Sequence, residues 1–202
     1  MTTIVVIGPP SAGKGTRIEK TKEVVNNVVS ISTGKLLRER GVDVSNGELV
    51  SDEMIMDILS EKLNSLEAEY VFLDGVPRNI PQAEKMKEQG IQIDKVIYLP
   101  ISAEEAVERI LSRKICSNPN CQETFTEGKS NFKPPKVKGI CDKCGSHLIN
   151  RSDDNEETIK RRLEVYYEYT EPVITWFENE RIPVIKVTGE DNISCFIKAV
   201  TD

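Results

Sequence analysis

Gly8-Pro9-Pro10-Ser11-Ala12-Gly13-Lys14-Gly15-Thr16 joins the apolar run Thr3–Ile7 to a stretch of helical character. A strand, a glycine-rich turn carrying one lysine, and then a helix make the context that a phosphate-binding loop requires. The glycines let backbone N–H groups turn inward around phosphate oxygens, and the helix N-terminus adds partial positive charge. Ser11, Ala12, Gly13, Lys14, Gly15 and Thr16 are therefore candidate triphosphate contacts, with Lys14 long enough to reach the outer phosphates. The general pattern places Ser or Thr directly after the lysine, whereas here Gly15 takes that place and Thr16 comes next.

Moving outward, further short apolar runs recur at Val28–Ser32, Tyr70–Leu73, Lys95–Leu99 and Pro183–Val187. Short apolar runs separated by helices predict parallel strands buried on both faces, an α/β architecture. Ile55, Ile58, Leu59, Leu63 and Leu66 predict a helix over Asp52–Leu66, capped by Ser51 or Asp52. Pro81–Gln89 starts with Pro and stops at Gly90, and Ser102-Ala103-Glu104-Glu105 is a capping box. Arg109 and Arg113, four apart, are expected on one face of the helix that follows. From Asp154, residues Ile159, Leu163, Tyr166, Tyr167, Thr170, Val173, Ile174 and Phe177 make one long stripe, read as core packing, which Pro172 should kink or divide.

Residues Cys116 to Ile149 differ, being rich in Cys, Pro, Gly, Asn and Lys and poor in aliphatics. Cys116 and Cys121 enclose four residues, Cys141 and Cys144 enclose two, and residues 122–140 lie between the pairs. Two such knuckles offer four thiolates to a tetrahedral ion, a closed structural site. Soft sulfur ligands favour Zn²⁺, with iron as the rival. An insert of this size cannot bury enough apolar area to hold itself, so a metal supplies the missing stability. His147 is read as a surface residue and Cys195 as a buried thiol.

Bulk properties exclude several classes. The net charge of −6 and pI near 5.1 argue against duplex nucleic acid as a partner. No apolar run reaches membrane-spanning length, and the opening residues read as a strand rather than a signal peptide. The cytoplasm is the expected location, which disfavours structural disulfides.

The Gly13-Lys14-Gly15-Thr16 spelling resembles the nucleoside monophosphate kinases, adenylate kinases in particular. Ser32-Thr33-Gly34-Lys35-Leu36-Leu37-Arg38 and Asp74-Gly75-Val76-Pro77-Arg78-Asn79 are similar to that family's acceptor segments, with Val76, Asn79 and Lys35 as departures. The resemblance implies that Thr33, Arg38, Gly75, Val76, Pro77, Arg78 and Gln82 bind AMP, together with the backbone around Glu48, Leu49 and Val50. It implies that Asp74 orders water around Mg²⁺ and that Gln82 reads the adenine edge. Arg109, Arg113, Arg151 and Arg162 would clamp phosphates on lid closure, the first two on ATP and the last two on the acceptor. Thr124, Phe125 and Glu190 would approach ATP, and Asp153 and Asp154 would hinge the lid by pairing with these arginines. Lys14, Asp74 and the four arginines would form the catalytic set.

The implied fold is a P-loop nucleoside monophosphate kinase fold, a parallel sheet flanked by helices with a zinc-ribbon-like lid insert. It is expected as one monomeric kinase domain, 1–202. Its core would be 1–32, 51–114 and 150–202, and its lid 115–149. The monophosphate segment 33–50 looks shortened by most of two helices, because only Glu39–Gly47 separate Arg38 from Glu48. The implied reaction takes ATP and AMP to two ADP. A kinase for CMP, UMP or GMP stays open, as does a non-catalytic nucleotide-binding zinc protein.

Overall fold

The structure, a computed structural model, describes residues 1–42, 50–128, 133–151, 154–188 and 193–202. Glu48, Leu49, Asp153 and Glu190 lie outside the described residues. Five parallel strands make the central sheet: β1 (Thr2–Ile7), β2 (Val28–Ser32), β3 (Tyr70–Asp74), β4 (Lys95–Tyr98) and β8 (Val184–Lys186). Their spatial order is β2-β3-β1-β4-β8. Side chains alternate faces along a strand, and both faces here are apolar. Ile4 and Val6 enter one core with Phe72, Ile97 and Phe196, while Val5 and Ile7 enter the other with Leu73, Leu59 and Phe177. That two-sided burial is why the strands read as continuous apolar runs rather than as alternating ones.

Helices cover each face. α1 (Lys14–Lys22) and α8 (Ile193–Thr201) supply Ile18, Phe196 and Val200 to the first core. α3 (Asp52–Asn64), α4 (Ile80–Glu88) and α7 (Pro172–Asn179) supply Ile58, Met86 and Val173 to the second. A short helix, α2 (Thr33–Glu39), follows β2 directly. Local signals set the starts: Ser51, Asn79 and Ser102 each accept a backbone N–H of the first turn through the side chain. Ser102 opens α5 (Ala103–Leu111), and Asn155 opens α6 (Glu156–Val165) in the same way.

Three expectations need correction. α5 ends at Leu111, so Arg113 is not on a helical face with Arg109; it is the first residue of β5 (Arg113–Cys116). The long stripe is broken by a π-helical turn, Tyr166–Thr170, in which the Glu171 N–H reaches back five residues to Tyr166 O at 2.8 Å. Pro172 follows at once and has no N–H to continue the helix. The added residue in that turn shifts the face, so Tyr166 is buried while Tyr167 is exposed. Cys195 is also exposed, because α8 turns Phe196, Ala199 and Val200 inward.

The insert forms its own antiparallel sheet in the order β6-β5-β7, with β6 (Thr124–Thr126) and β7 (Leu148–Ile149). Its core is small: Phe125, Cys116 and Cys141 are buried, with Cys121 and Leu148 packed against them.

Candidate nucleotide cleft and metal centre

The order β2-β3-β1-β4-β8 reverses direction at β1, and ligands of open α/β sheets bind outside the strand C-termini at such a point. Three chain segments leave the sheet there: the loop after β1, the β2–α2 junction and the turn after β3. Together with the lid and α6 they enclose a cleft of about 880 Å³.

The loop after β1 is held open for an anion. Gly8 is packed so tightly on the sheet that a Cβ would lie 2.5 Å from Leu99 O. Gly13, the α1 N-cap residue, offers no side-chain cap, and the first turn of α1 carries no acidic residue. The helix N–H groups therefore face the cleft without competition from a side-chain acceptor. Lys14 Nζ donates to Gly8 O at 2.8 Å and Pro9 O at 3.1 Å. Burial lowers its pKa to about 8, with Arg78 and Arg113 adding to the effect and Asp74 opposing it. Buried Arg17, which the sequence did not mark, braces the loop by donating to Ala12 O at 2.9 Å.

Across the cleft, Asp74 ends β3 and accepts from Ser32 Oγ at 3.3 Å. Thr33 is fully buried and donates its hydroxyl to Gly75 O at 2.9 Å, tying α2 to that turn. Arg78 Nε donates to the same carbonyl at 3.0 Å. Burial lowers the Arg78 pKa; Asp74 opposes this, and Arg162 and Arg38 add to it. Val50, Gly75 and Pro77 line the cleft, whereas the Val76 side chain packs into the core behind it. Gln82 is 1% exposed and held at both amide atoms: its Oε1 accepts from Arg78 N at 2.7 Å, and its Nε2 donates to Asp52 Oδ1 at 2.8 Å.

Arg109, Arg113, Arg151 and Arg162 all border the cleft from the lid side. Arg109 is 4% exposed, held by Glu105 at 2.5 Å, and reaches Ser11 O at 3.4 Å. Arg113 and Arg162 share Asp154. The cleft thus gathers Lys14, Arg38, Arg78 and these four arginines around Asp74. Such a charge excess suits a polyanion with several phosphates. Thr124 and Phe125 both line the cleft wall, the Phe125 ring also filling the lid core with Lys133 Nζ 5.3 Å from its centre.

The sequence read Asp52 only as a helix cap. Its bond to Gln82 links residues 30 apart, which no local pattern reveals. Glu105 had a signal, the i,i+4 spacing to Arg109.

In the lid, the four thiol sulfurs of Cys116, Cys121, Cys141 and Cys144 lie within 4.8 Å of one another, and this cluster is able to hold a metal. The Cys116–Cys144 and Cys121–Cys141 sulfurs are 3.3 and 3.8 Å apart, and all four cysteines are free. A tetrahedral ion with metal–sulfur bonds of about 2.3 Å needs sulfurs about 3.8 Å apart, so the donor set fits. The Ser146 hydroxyl and N–H draw the Cys144 thiol down to about 6, while burial pushes the Cys116 and Cys121 thiols up, so the fit of the donor set rests on its geometry. His147 is exposed, apart from this shell.

Sheet order, phosphate loop and convergent arginines define a P-loop nucleoside monophosphate kinase fold with a cysteine-cluster lid. A family model described as "Adenylate kinase" matches residues 6–182. An adenylate kinase of Carboxydothermus hydrogenoformans is 39% identical, covering 86% of each chain. One of Streptomyces coelicolor is 37% identical over 92% of this chain and 91% of its own, and one of Methanocella arvoryzae is 36% identical over 96% of each. The chain belongs to the adenylate kinase family, and its activity is nucleotide phosphoryl transfer. Among the described residues no helix is long and apolar enough to cross a membrane.

Proposed function

We propose that this cleft transfers the γ-phosphoryl group of ATP to AMP, reversibly and in line, with the donor on the Lys14 side and the acceptor on the Arg38–Arg78 side. The observation that carries this division of roles is that Arg78 and Arg113 both lie in the cleft close enough to Lys14 to depress its pKa, while Arg38 and Arg162 bear on Arg78. Phosphoryl transfer asks the protein for position and charge rather than covalent chemistry. Ser11 to Thr16 and Lys14 hold the outer ATP phosphates, and Arg109 and Arg113 neutralise the triphosphate. Arg38 and Arg78 fix the acceptor phosphate, with Arg151 and Arg162 bearing on the transferring group from the lid side. Lid closure over Thr124 excludes water that would otherwise hydrolyse ATP.

Asp74 is the carboxylate at the strand end beside Lys14, the donor type Mg²⁺ takes through water when it arrives with phosphates. Asp74 would hold Mg²⁺ there, and the ion would supply positive charge against the ATP phosphates. Zn²⁺ is the ion proposed for the four thiolates, in a structural role away from the chemistry. We assign core 1–32, 51–114 and 150–202, acceptor segment 33–50 and lid 115–149, with the lid sheet starting two residues earlier at Arg113. A monomer suffices, since all these groups come from one chain.

The test is ADP formation from Mg-ATP with AMP, CMP, UMP and GMP offered singly, beside Lys14→Ala. Activity with AMP that the variant loses is the expected result. Activity with another base alone overturns the acceptor assignment, and ATP binding without transfer overturns the kinase reading.

A further inference from the structure

A primary carboxamide is nearly symmetric: flipped by a half turn, it exchanges its acceptor oxygen for a donor nitrogen in almost the same place. A glutamine alone is therefore an ambiguous reader of a base edge. Adenine presents an amino donor beside a ring-nitrogen acceptor; a 6-oxo purine presents an oxygen acceptor beside a ring N–H donor. One orientation of the amide matches the first, and the flipped orientation matches the second. An unrestrained Gln82 would accept both.

Gln82 is not unrestrained. Its Oε1 faces the Arg78 backbone N–H at 2.7 Å, a group that only donates, and its Nε2 faces Asp52 Oδ1 at 2.8 Å, a carboxylate that only accepts. Flipping would set oxygen against carboxylate and N–H against N–H in a site 1% exposed, where such mismatches cost most. Asp52 is itself held, since Asn79 Nδ2 donates to the same Oδ1 at 3.1 Å while Asn79 Oδ1 caps α4 through the Gln82 N–H. With these bonds made, Gln82 keeps one N–H and one oxygen lone pair for a ligand in the cleft it lines.

We infer that Asp52 is a positioning residue for acceptor choice: by fixing the Gln82 carboxamide in one orientation, it makes the site accept 6-amino bases and reject 6-oxo purines. This rests on the reading that Gln82 faces the acceptor base. CMP carries the same amino-beside-nitrogen edge as AMP, so this lock separates AMP and CMP from IMP and GMP, and the fit of the ring must separate AMP from CMP.

The experiment measures KM and kcat of the full chain with AMP, IMP and CMP at saturating Mg-ATP, and KM for ATP. Asp52→Ala is expected to lower the AMP-to-IMP ratio of kcat/KM by about tenfold or more, chiefly through KM for AMP, with KM for ATP changing less than about twofold. Asp52→Asn, which keeps an oxygen able to accept from Nε2, should restore most of the ratio. In a Gln82→Ala background, Asp52→Ala should change the ratio no further, because the two act as one unit. Asp52→Ser, a good first-turn residue without the carboxylate, gives the same readout where Asp52→Ala does not fold. A ratio that collapses in Gln82→Ala yet survives Asp52→Ala overturns the inference and leaves the base contact standing. A ratio that survives Gln82→Ala overturns both.

Discussion

The Arg113 guanidinium makes two hydrogen bonds to the Asp154 carboxylate, one of them from Nε to Oδ2 at 2.7 Å. Arg113 opens the first lid strand, and Asp154 lies just before α6, where the chain has returned from the lid. The pair therefore bridges the two ends of the insert. The Asp154 side chain is 4% exposed and Arg113 16%, and Arg162 adds a third charge 3.6 Å from Asp154. Removing the carboxylate takes from Arg113 its two-bond partner and from Arg162 one of its contacts, at a site with little water. Breaking such a pair costs about 3 kcal/mol, so Asp154→Ala should melt roughly 6 to 12 °C lower in a chain of this size. Triphosphate oxygens replace the lost anion, so saturating Mg-ATP should close most of that gap. Calorimetric melting with and without nucleotide reads both numbers, and an equal drop in the two states would sink the idea that these arginines await phosphate.

The lid core is Phe125, Leu148 and the cysteines themselves, too little apolar surface to order a sheet. Bound metal is then the main source of lid stability. Cys141→Ser, which removes one buried thiol, should release the metal to a chromogenic chelator. It should also lower the first melting transition while far-ultraviolet circular dichroism of the parallel sheet persists. The wild-type chain should release about one metal per chain when its thiols are blocked. An unchanged melting profile after metal release would mean that the cluster does not hold the lid.

Much of this was open to sequence reasoning where the determinants are local. The phosphate loop is a run of nine residues, and the cysteine pairs are defined by spacing alone. Arg113 leaves the helical face because it pairs in the lid sheet with Thr126, thirteen residues on, and helical periodicity carries no trace of that pairing. Tyr167 falls on the core stripe at a period of 3.6, which cannot anticipate one extra residue in the turn before Pro172. Cys195 sits one position before the inward Phe196, within the error of reading a face in a nine-residue helix. Asp52 looked like a cap because an acid in a first turn usually is one.

Lys14 ties pH to nucleotide binding. Its pKa in the nucleotide-free chain is about 8, below its ordinary value of 10.5, chiefly because burial disfavours the charge. Phosphates placed beside it raise that pKa. Between the two values, binding must take up a proton, so ATP affinity falls as pH rises through about 8. The same depression means the unfolded chain binds more protons from about pH 8 to 10.5, so this group's contribution makes the nucleotide-free fold more stable with rising pH in that window and has no slope below it. Titration calorimetry at pH 9 in buffers of different ionisation enthalpy should show proton uptake. The uptake should be small at pH 6.5 and absent in Lys14→Ala. Binding heats that ignore the buffer at pH 9 would count against the assigned role.

Gly75 supplies the turn that brings Asp74, Thr33 and Arg78 together. Its φ is +86°, a conformation side chains rarely adopt, and a Cβ there would lie 2.7 Å from Thr33 Oγ1 and 3.1 Å from Arg78 Nη2. Thr33 cannot withdraw, because it is fully buried and bonded to Gly75 O. The 2.7 Å overlap is therefore relieved by a shift of the turn itself, and the Arg78 guanidinium, bonded to Gly75 O through Nε, moves with it. Gly75→Ala should therefore displace the acceptor-phosphate arginine while leaving the Lys14 loop in place. The expected result is a KM for AMP raised about tenfold or more, KM for ATP nearly unchanged, and stability lower by about 1–3 kcal/mol from the strained backbone. Steady-state kinetics with each nucleotide varied in turn separates the two effects. A variant that raises both KM values alike would show that Gly75 shapes the whole cleft rather than the grip of Arg78 on the acceptor.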